Sequence, residues 1–168
     1  MKIDQTYTKT QLTWLMILRI FIGWHFLFEG IVKVTNPSWT AKAYLLDSHG
    51  FASSFFVGLT QNDSVLNFVN FANEWALVLI GLGLICGCFY RLSSFGGVVL
   101  LLMYTLSHPS FVGATYSMPF EGSYLWIDKN LVECAGICLL WVFPTSEILG
   151  FDRWLGRVCP FLRKIKFI

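Results

Sequence analysis

Four ionisable side chains, Arg19, His25, Glu29 and Lys33, fall inside "LRIFIGWHFLFEGIVKV", a segment that is otherwise apolar and long enough to cross a bilayer as one helix. At about 100° per residue the four share an arc of about 120°, so one face of the helix is polar and the rest is not. An ionised group at the centre of a bilayer costs about 2.5–3.5 kcal/mol on insertion scales. The four are therefore expected to face other helices and to pair there. Glu29 stands four residues before Lys33, the favourable order for an ion pair along a helix. Gly23 and Gly30 share or flank this face, where they would let a neighbouring helix or a flat ligand approach the backbone.

Other apolar stretches bring similar groups to one depth, estimated at about 1.5 Å per residue. Asn73 and Glu74, followed by Trp75, lie near one end of the second stretch; His108 closes the third before Pro109; Lys129, Asn130 and Glu133 open the fourth. Ionisable residues within a membrane are functional by default, and these suggest a polar cavity under the outer loops. A quinone is one ligand such a cavity would suit. Its ring diffuses within the bilayer, its two carbonyls need donors, and its reduction consumes two electrons and two protons. Glu29, Lys33, Glu74 and Glu133 are the candidate catalytic residues, with the carboxylates to relay protons. Lys33, His25, His108, Lys129 and Asn130 are candidate donors to a bound quinone, and Trp75 a candidate stacking partner. A transporter cavity or a lipid-headgroup site would use similar residues. No haem or metal is expected: His25 and His108 fall at different depths, and Asp47 with His49 is too few ligands for a defined site. Electrons would then have to come from a partner.

The elements that position these groups follow from hydropathy. Of 168 residues 55% are hydrophobic and 13% charged, and the mean hydropathy is +0.61, which excludes an ordinary soluble domain. The expected architecture is an all-α membrane protein, a four-transmembrane-helix bundle with spans at about 12–34, 65–90, 92–108 and 125–146. One domain, 1–168, is expected, ending in a basic tail, 147–168. The first span is too long and too charged for a secretory signal, although Ala41-Lys42-Ala43 loosely imitates a cleavage site. Lys2, Lys9, Arg91, Arg153, Arg157, Arg163, Lys164 and Lys166 all lie on one side of this arrangement, so both termini are expected in the cytoplasm. The basic tail reads as a topology anchor beside anionic lipid, not as a nucleic-acid site. The long extracytoplasmic connection "TNPSWTAKAYLLDSHGFASSFFVGLTQNDS" carries enough aromatic residues for short helices at the membrane surface. Gly83 and Gly87 suggest a small-residue packing face in the second span. Five cysteines without a C-x-x-C pair read as buried apolar thiols.

Taken in order, "LRIFIGWHFLFEGIVKV", "PSWTAKAYL", "NEWALVLIGLGLICGCFYRLSSFGG" and "EGSYLWIDKNLVE" resemble the DoxX family over nearly the whole chain, in particular its DoxD type, the small membrane subunit of thiosulfate:quinone oxidoreductase. The resemblance implies a compact four-helix membrane bundle associated with redox enzymes. Arg19, Gly23, Gly30 and Lys33 fall on the family's first-helix pattern, Asn73 and Glu74 on the polar start of the second, Arg91 on the basic residue after it, and Lys129 and Asn130 on the start of the fourth. Arg19, Gly23, Gly30 and Arg91 are expected to organise the bundle. The functional expectation is a quinone-interacting subunit, with menaquinone or ubiquinone as the cofactor, in a bacterial or archaeal cytoplasmic (inner) membrane. It would take electrons from a soluble extracytoplasmic oxidoreductase; its other contacts would be membrane lipid and copies of itself, and not nucleic acid. The rival expectations are a non-catalytic scaffold for redox or stress-defence proteins and a small transporter.

Overall fold

Among the residues described by the computed structural model, 7–118 and 125–158, every regular element is helical. Lys2, Glu121, Cys159 and the basic residues Arg163, Lys164 and Lys166 lie outside them. The helices are α1 (Lys9–Val34), α2 (Lys42–Leu46), α3 (Ser53–Gly58), α4 (Asp63–Cys86), α5 (Tyr90–Ser107), α6 (Lys129–Val142) and α7 (Phe151–Val158), with a 3-10 turn at Thr145–Glu147.

Local chemistry sets the helix ends. Thr8 and Gln11 cap α1 reciprocally, the Gln11 N–H donating to the Thr8 hydroxyl at 3.2 Å and the Thr8 N–H to the Gln11 side chain at 2.9 Å. Asn62 starts α4 by accepting from the N–H groups of Ser64 and Val65. Gly87, at φ 63°, ends it, and Cys88 N–H then donates back to the Gly83 carbonyl at 3.0 Å. The start of α5 is capped from far along the chain, where Asp152 accepts from Phe89 N–H at 2.8 Å and Tyr90 N–H at 3.0 Å.

The core draws Phe26 from α1, Leu77 and Leu84 from α4, Leu101 from α5, and Ile137 and Leu140 from α6. α1 and α4 run antiparallel and meet backbone to backbone, because a Cβ at Gly81 would lie 2.4 Å from the Leu27 nitrogen. Gly23 and Gly30 lie along the same seam. Of the packing face read from Gly83 and Gly87, Gly83 does meet a neighbouring helix, whereas Gly87 has another role. Gly83 abuts Ser93 of α5, and Gly87 forms the left-handed helix end.

With 26 and 24 residues, α1 and α4 are long and apolar enough to cross a membrane, at about 39 and 36 Å against a hydrocarbon core of about 30 Å. Only 28% of the most apolar window of each is buried in the protein. Outward-facing Phe21 and Phe71 are 69% and 61% exposed, a surface suited to lipid rather than water. The other two expected spans differ in their limits. Tyr90–Ser107 nearly reproduces 92–108, but the fourth helix is only 14 residues, Lys129–Val142 rather than 125–146. Leu125 and Trp126 take positive φ values of 50° and 83°, which no helix allows. Asp128 then starts the helix by accepting from Leu131 N–H at 2.9 Å.

Arg19 organises one end of the fold. It is 2% exposed, donates to the Thr145 hydroxyl and the Leu149 carbonyl at 2.9 Å each, and lies over the Tyr90 ring at 5.9 Å. This hub ties the segment after α6 to α1, while Asp152 ties the same segment to α5. At the other end, residues 35–62 fold into a roof. Ala41, Leu45 and Phe56 pack with Leu66 of α4 and against Met103 and Leu106 of α5. Ser48 Oγ and His49 N–H both donate to the Ser107 carbonyl, at 2.8 and 3.1 Å.

Candidate functional site: a polar cavity beneath the roof

Under this roof lies a cavity of about 750 Å³, walled by α1, α4, α5 and the start of α6. Its size is that of a small-molecule site. From α1, His25, Glu29 and Lys33 reach it in one stripe, as their spacing predicts. From the start of α6 come Lys129, Asn130 and Glu133, and from just beyond α5 comes His108. The structure does not bring Glu74 and Trp75 to the cavity. Only Asn73 of that triplet lines it, since each further residue turns about 100° around the helix. Trp75 lies instead on the outer side, 6.3 Å from Phe71 between ring centroids. Arg19 and Arg91 do not line the cavity, and Gly23 and Gly30 serve the α1–α4 seam.

An ion pair and a histidine–carboxylate hydrogen bond shape the wall. Lys33 Nζ lies 2.5 Å from Glu29 Oε2 and 5.8 Å from the centre of the Trp39 ring, a cation–π distance. His25 Nδ1 lies 2.9 Å from both carboxylate oxygens of Glu133 and so joins α1 to α6. The remaining polar groups come from the roof and from α5. The Tyr104 hydroxyl donates to Asn73 Oδ1, and the Tyr44 ring stacks on His108 with centroids 3.8 Å apart. Burial pushes the Tyr44 hydroxyl well above the ordinary phenol range, so it stays a donor. Apolar walls from Phe26, Phe55, Phe56, Phe68 and Leu100 complete the cavity.

The roof is also held to the connection after α5. Asp47 accepts from Ser117 N–H at 3.1 Å and Met118 N–H at 2.9 Å, and its Oδ2 lies 3.9 Å from His108 Nε2. Burial alone would raise the Asp47 pKa, but the amides of Met118 and Ser117 outweigh it and hold the carboxyl below its ordinary value. Sequence reasoning missed Tyr104 and the stacking of Tyr44 on His108. The signal for the first was a lone phenol in the aliphatic run "VVLLLMYTL"; the second depends on a fold-back that no spacing encodes.

Fold and cavity together define a helical membrane protein with a polar, aromatic-walled site. The sequence model described as DoxX matches residues 14–109, more than half of the 168 residues, and the chain belongs to the DoxX family. The match covers the walls from α1, α4 and α5 and ends before Lys129, Asn130 and Glu133. No match is found among curated proteins or among solved structures.

Proposed function

We propose that this protein is a quinone-interacting membrane subunit of an extracytoplasmic oxidoreductase. A soluble partner would oxidise its own substrate and pass electrons to menaquinone or ubiquinone held in the cavity. On this reading α1, α4, α5 and α6 form a four-helix transmembrane bundle in a bacterial or archaeal cytoplasmic membrane. Both termini are cytoplasmic, and the roof at 35–62 faces outward. α6, at about 21 Å, is completed across the bilayer by the segment that follows it.

The observation that carries the reading is the cavity itself, which combines apolar aromatic walls with hydrogen-bond donors and carboxylates. A bound quinone accepts two electrons and two protons. Lys33 supplies a hydrogen bond to one carbonyl oxygen, and Asn130 and His108 are the further donors on the cavity wall. Among the carboxylates on the cavity wall, Glu29 and Glu133 relay the two protons. Phe55, Phe56 and Phe68 exclude water from the ring.

Photoaffinity labelling of the membrane-embedded protein with an azido-quinone tests the reading. Label on cavity peptides containing Tyr44, Met103 or Met118, displaced by excess unlabelled quinone, is expected. Label confined to the outward helix faces, or not displaced, would refute it.

One observation favours a second reading, a non-catalytic scaffold. Lys33 pairs with Glu29 along α1 and His25 bonds Glu133 of α6, so the polar groups of the wall satisfy one another, as a structural tie would. A redox partner that co-purifies and keeps its activity after Lys33→Met and Glu133→Gln would favour that reading.

A further inference from the structure

A second opening lies beside the cavity. A groove of about 410 Å³ runs between α1 and α6, floored by Leu18, Ile22 and Gly136 and flanked by Phe21 and Val132. Its lining is almost wholly apolar apart from Lys129 and Glu133, and these two residues also line the cavity. Groove and cavity therefore share a wall where the His25–Glu133 pair joins α1 to α6. Phe21 and Val132 are largely exposed, so the groove opens on the surface assigned to lipid.

From this shared wall we propose that the groove is the exit by which the prenyl chain of a ring bound in the cavity passes into the bilayer, beside the His25–Glu133 pair. The inference rests on the quinone reading and adds to it the side from which the ligand enters. A prenyl chain has already left water when its quinone dissolves in the membrane, so lying in the groove adds no hydrophobic gain. What the groove supplies is a steric path: a ring under the roof needs an apolar opening for its chain, and the groove begins where Lys129 and Glu133 line both spaces and runs along α1 past Ile22 and Leu18. An acyl chain of a membrane phospholipid is the competing occupant. It would fill the groove without reference to what the cavity holds.

The discriminating experiment uses the full chain in quinone-free phosphatidylcholine nanodiscs. A radiolabelled benzoquinone or naphthoquinone ring without a tail is bound and then displaced, either by itself or by the same ring carrying a prenyl chain. Val132→Phe narrows the groove from an exposed position, and Gly136→Leu fills its floor, where a Cβ would lie 3.0 Å from Ile22 Cδ1. For Val132→Phe, displacement by the prenylated ring is expected to need at least tenfold more ligand than in the unaltered protein. Displacement by the tail-less ring should stay within twofold. Gly136→Leu should act in the same direction if it folds, and Val132→Phe keeps the test intact if it does not. Equal displacement of both ligands in Val132→Phe would overturn the exit and leave the cavity reading standing. Failure of the unaltered protein to bind the tail-less ring would overturn both.

Discussion

Replacing Gly81 by alanine should uncouple the walls of the cavity from a position that does not line it. The added Cβ would sit 2.4 Å from the Leu27 nitrogen and 2.7 Å from both the Gly23 carbonyl oxygen and the Leu27 Cα. Carbon needs about 3.5–4 Å to such neighbours, and all three are backbone atoms that no rotamer change can move. α1 must therefore part from α4 by about 1 Å at the crossing. Overpacking of this kind costs about 1–3 kcal/mol, which for a chain of this length is about 2–12 °C in Tm. His25 lies two residues before Leu27 on the displaced helix. Its 2.9 Å contact with Glu133 would stretch by a comparable amount, beyond hydrogen-bonding distance. Thermal unfolding in nanodiscs followed by tryptophan fluorescence measures the first effect. Gly58→Ala is the control, because nothing lies within 4 Å of a Cβ there, and it should leave Tm unchanged. A Gly81→Ala protein with the Tm of the control would refute the backbone contact between α1 and α4.

Three further outcomes are expected. Lys33→Met removes a charged donor from the cavity; a hydrogen bond to a charged group contributes about 1.5–3 kcal/mol, so quinone affinity should fall about tenfold to a hundredfold with little change in Tm, as equilibrium binding would show. Arg19→Met removes the donors to Thr145 and Leu149 but also relieves a desolvated charge. The net loss should be local, with faster hydrogen exchange at residues 145–153 and unchanged exchange around Asn73. The Asp47 carboxyl titrates below its ordinary value, so its contribution is present above the unfolded-state pKa and disappears as pH falls through the folded-state one. Protection of the Ser117 and Met118 amides should therefore drop in acid below about pH 4, and Asp47→Asn should abolish that dependence.

Much of this arrangement was legible because membrane burial leaves few options for charge. The stripe His25, Glu29, Lys33 could face only inward, and Glu29 four residues before Lys33 defined a pair. The depth of Lys129, Asn130 and Glu133 followed from counting residues along an apolar stretch. Rotation around a helix was read less well. Asn73, Glu74 and Trp75 share a depth, yet only Asn73 faces the cavity. The start of α6 was misplaced because hydropathy continues through Leu125, Trp126 and Ile127, whereas the positive φ values there delay the helix to the Asp128 cap. The Asp152 cap on α5 and the Tyr44–His108 stack join residues far apart in the chain, and nothing local marks such pairs. The partner of His25 was likewise set by the packing of α6 against α1, not by sequence spacing.

The most direct test of the central claim is a count of quinone in the protein itself. Gentle purification from the native membrane, organic extraction and mass spectrometry would give the molar ratio of quinone to chain, with a Lys33→Met preparation treated in parallel. A ratio approaching one is expected for the unaltered protein, with a clear loss in the variant. No quinone above the level carried by bulk lipid, or an equal amount in both preparations, would contradict it.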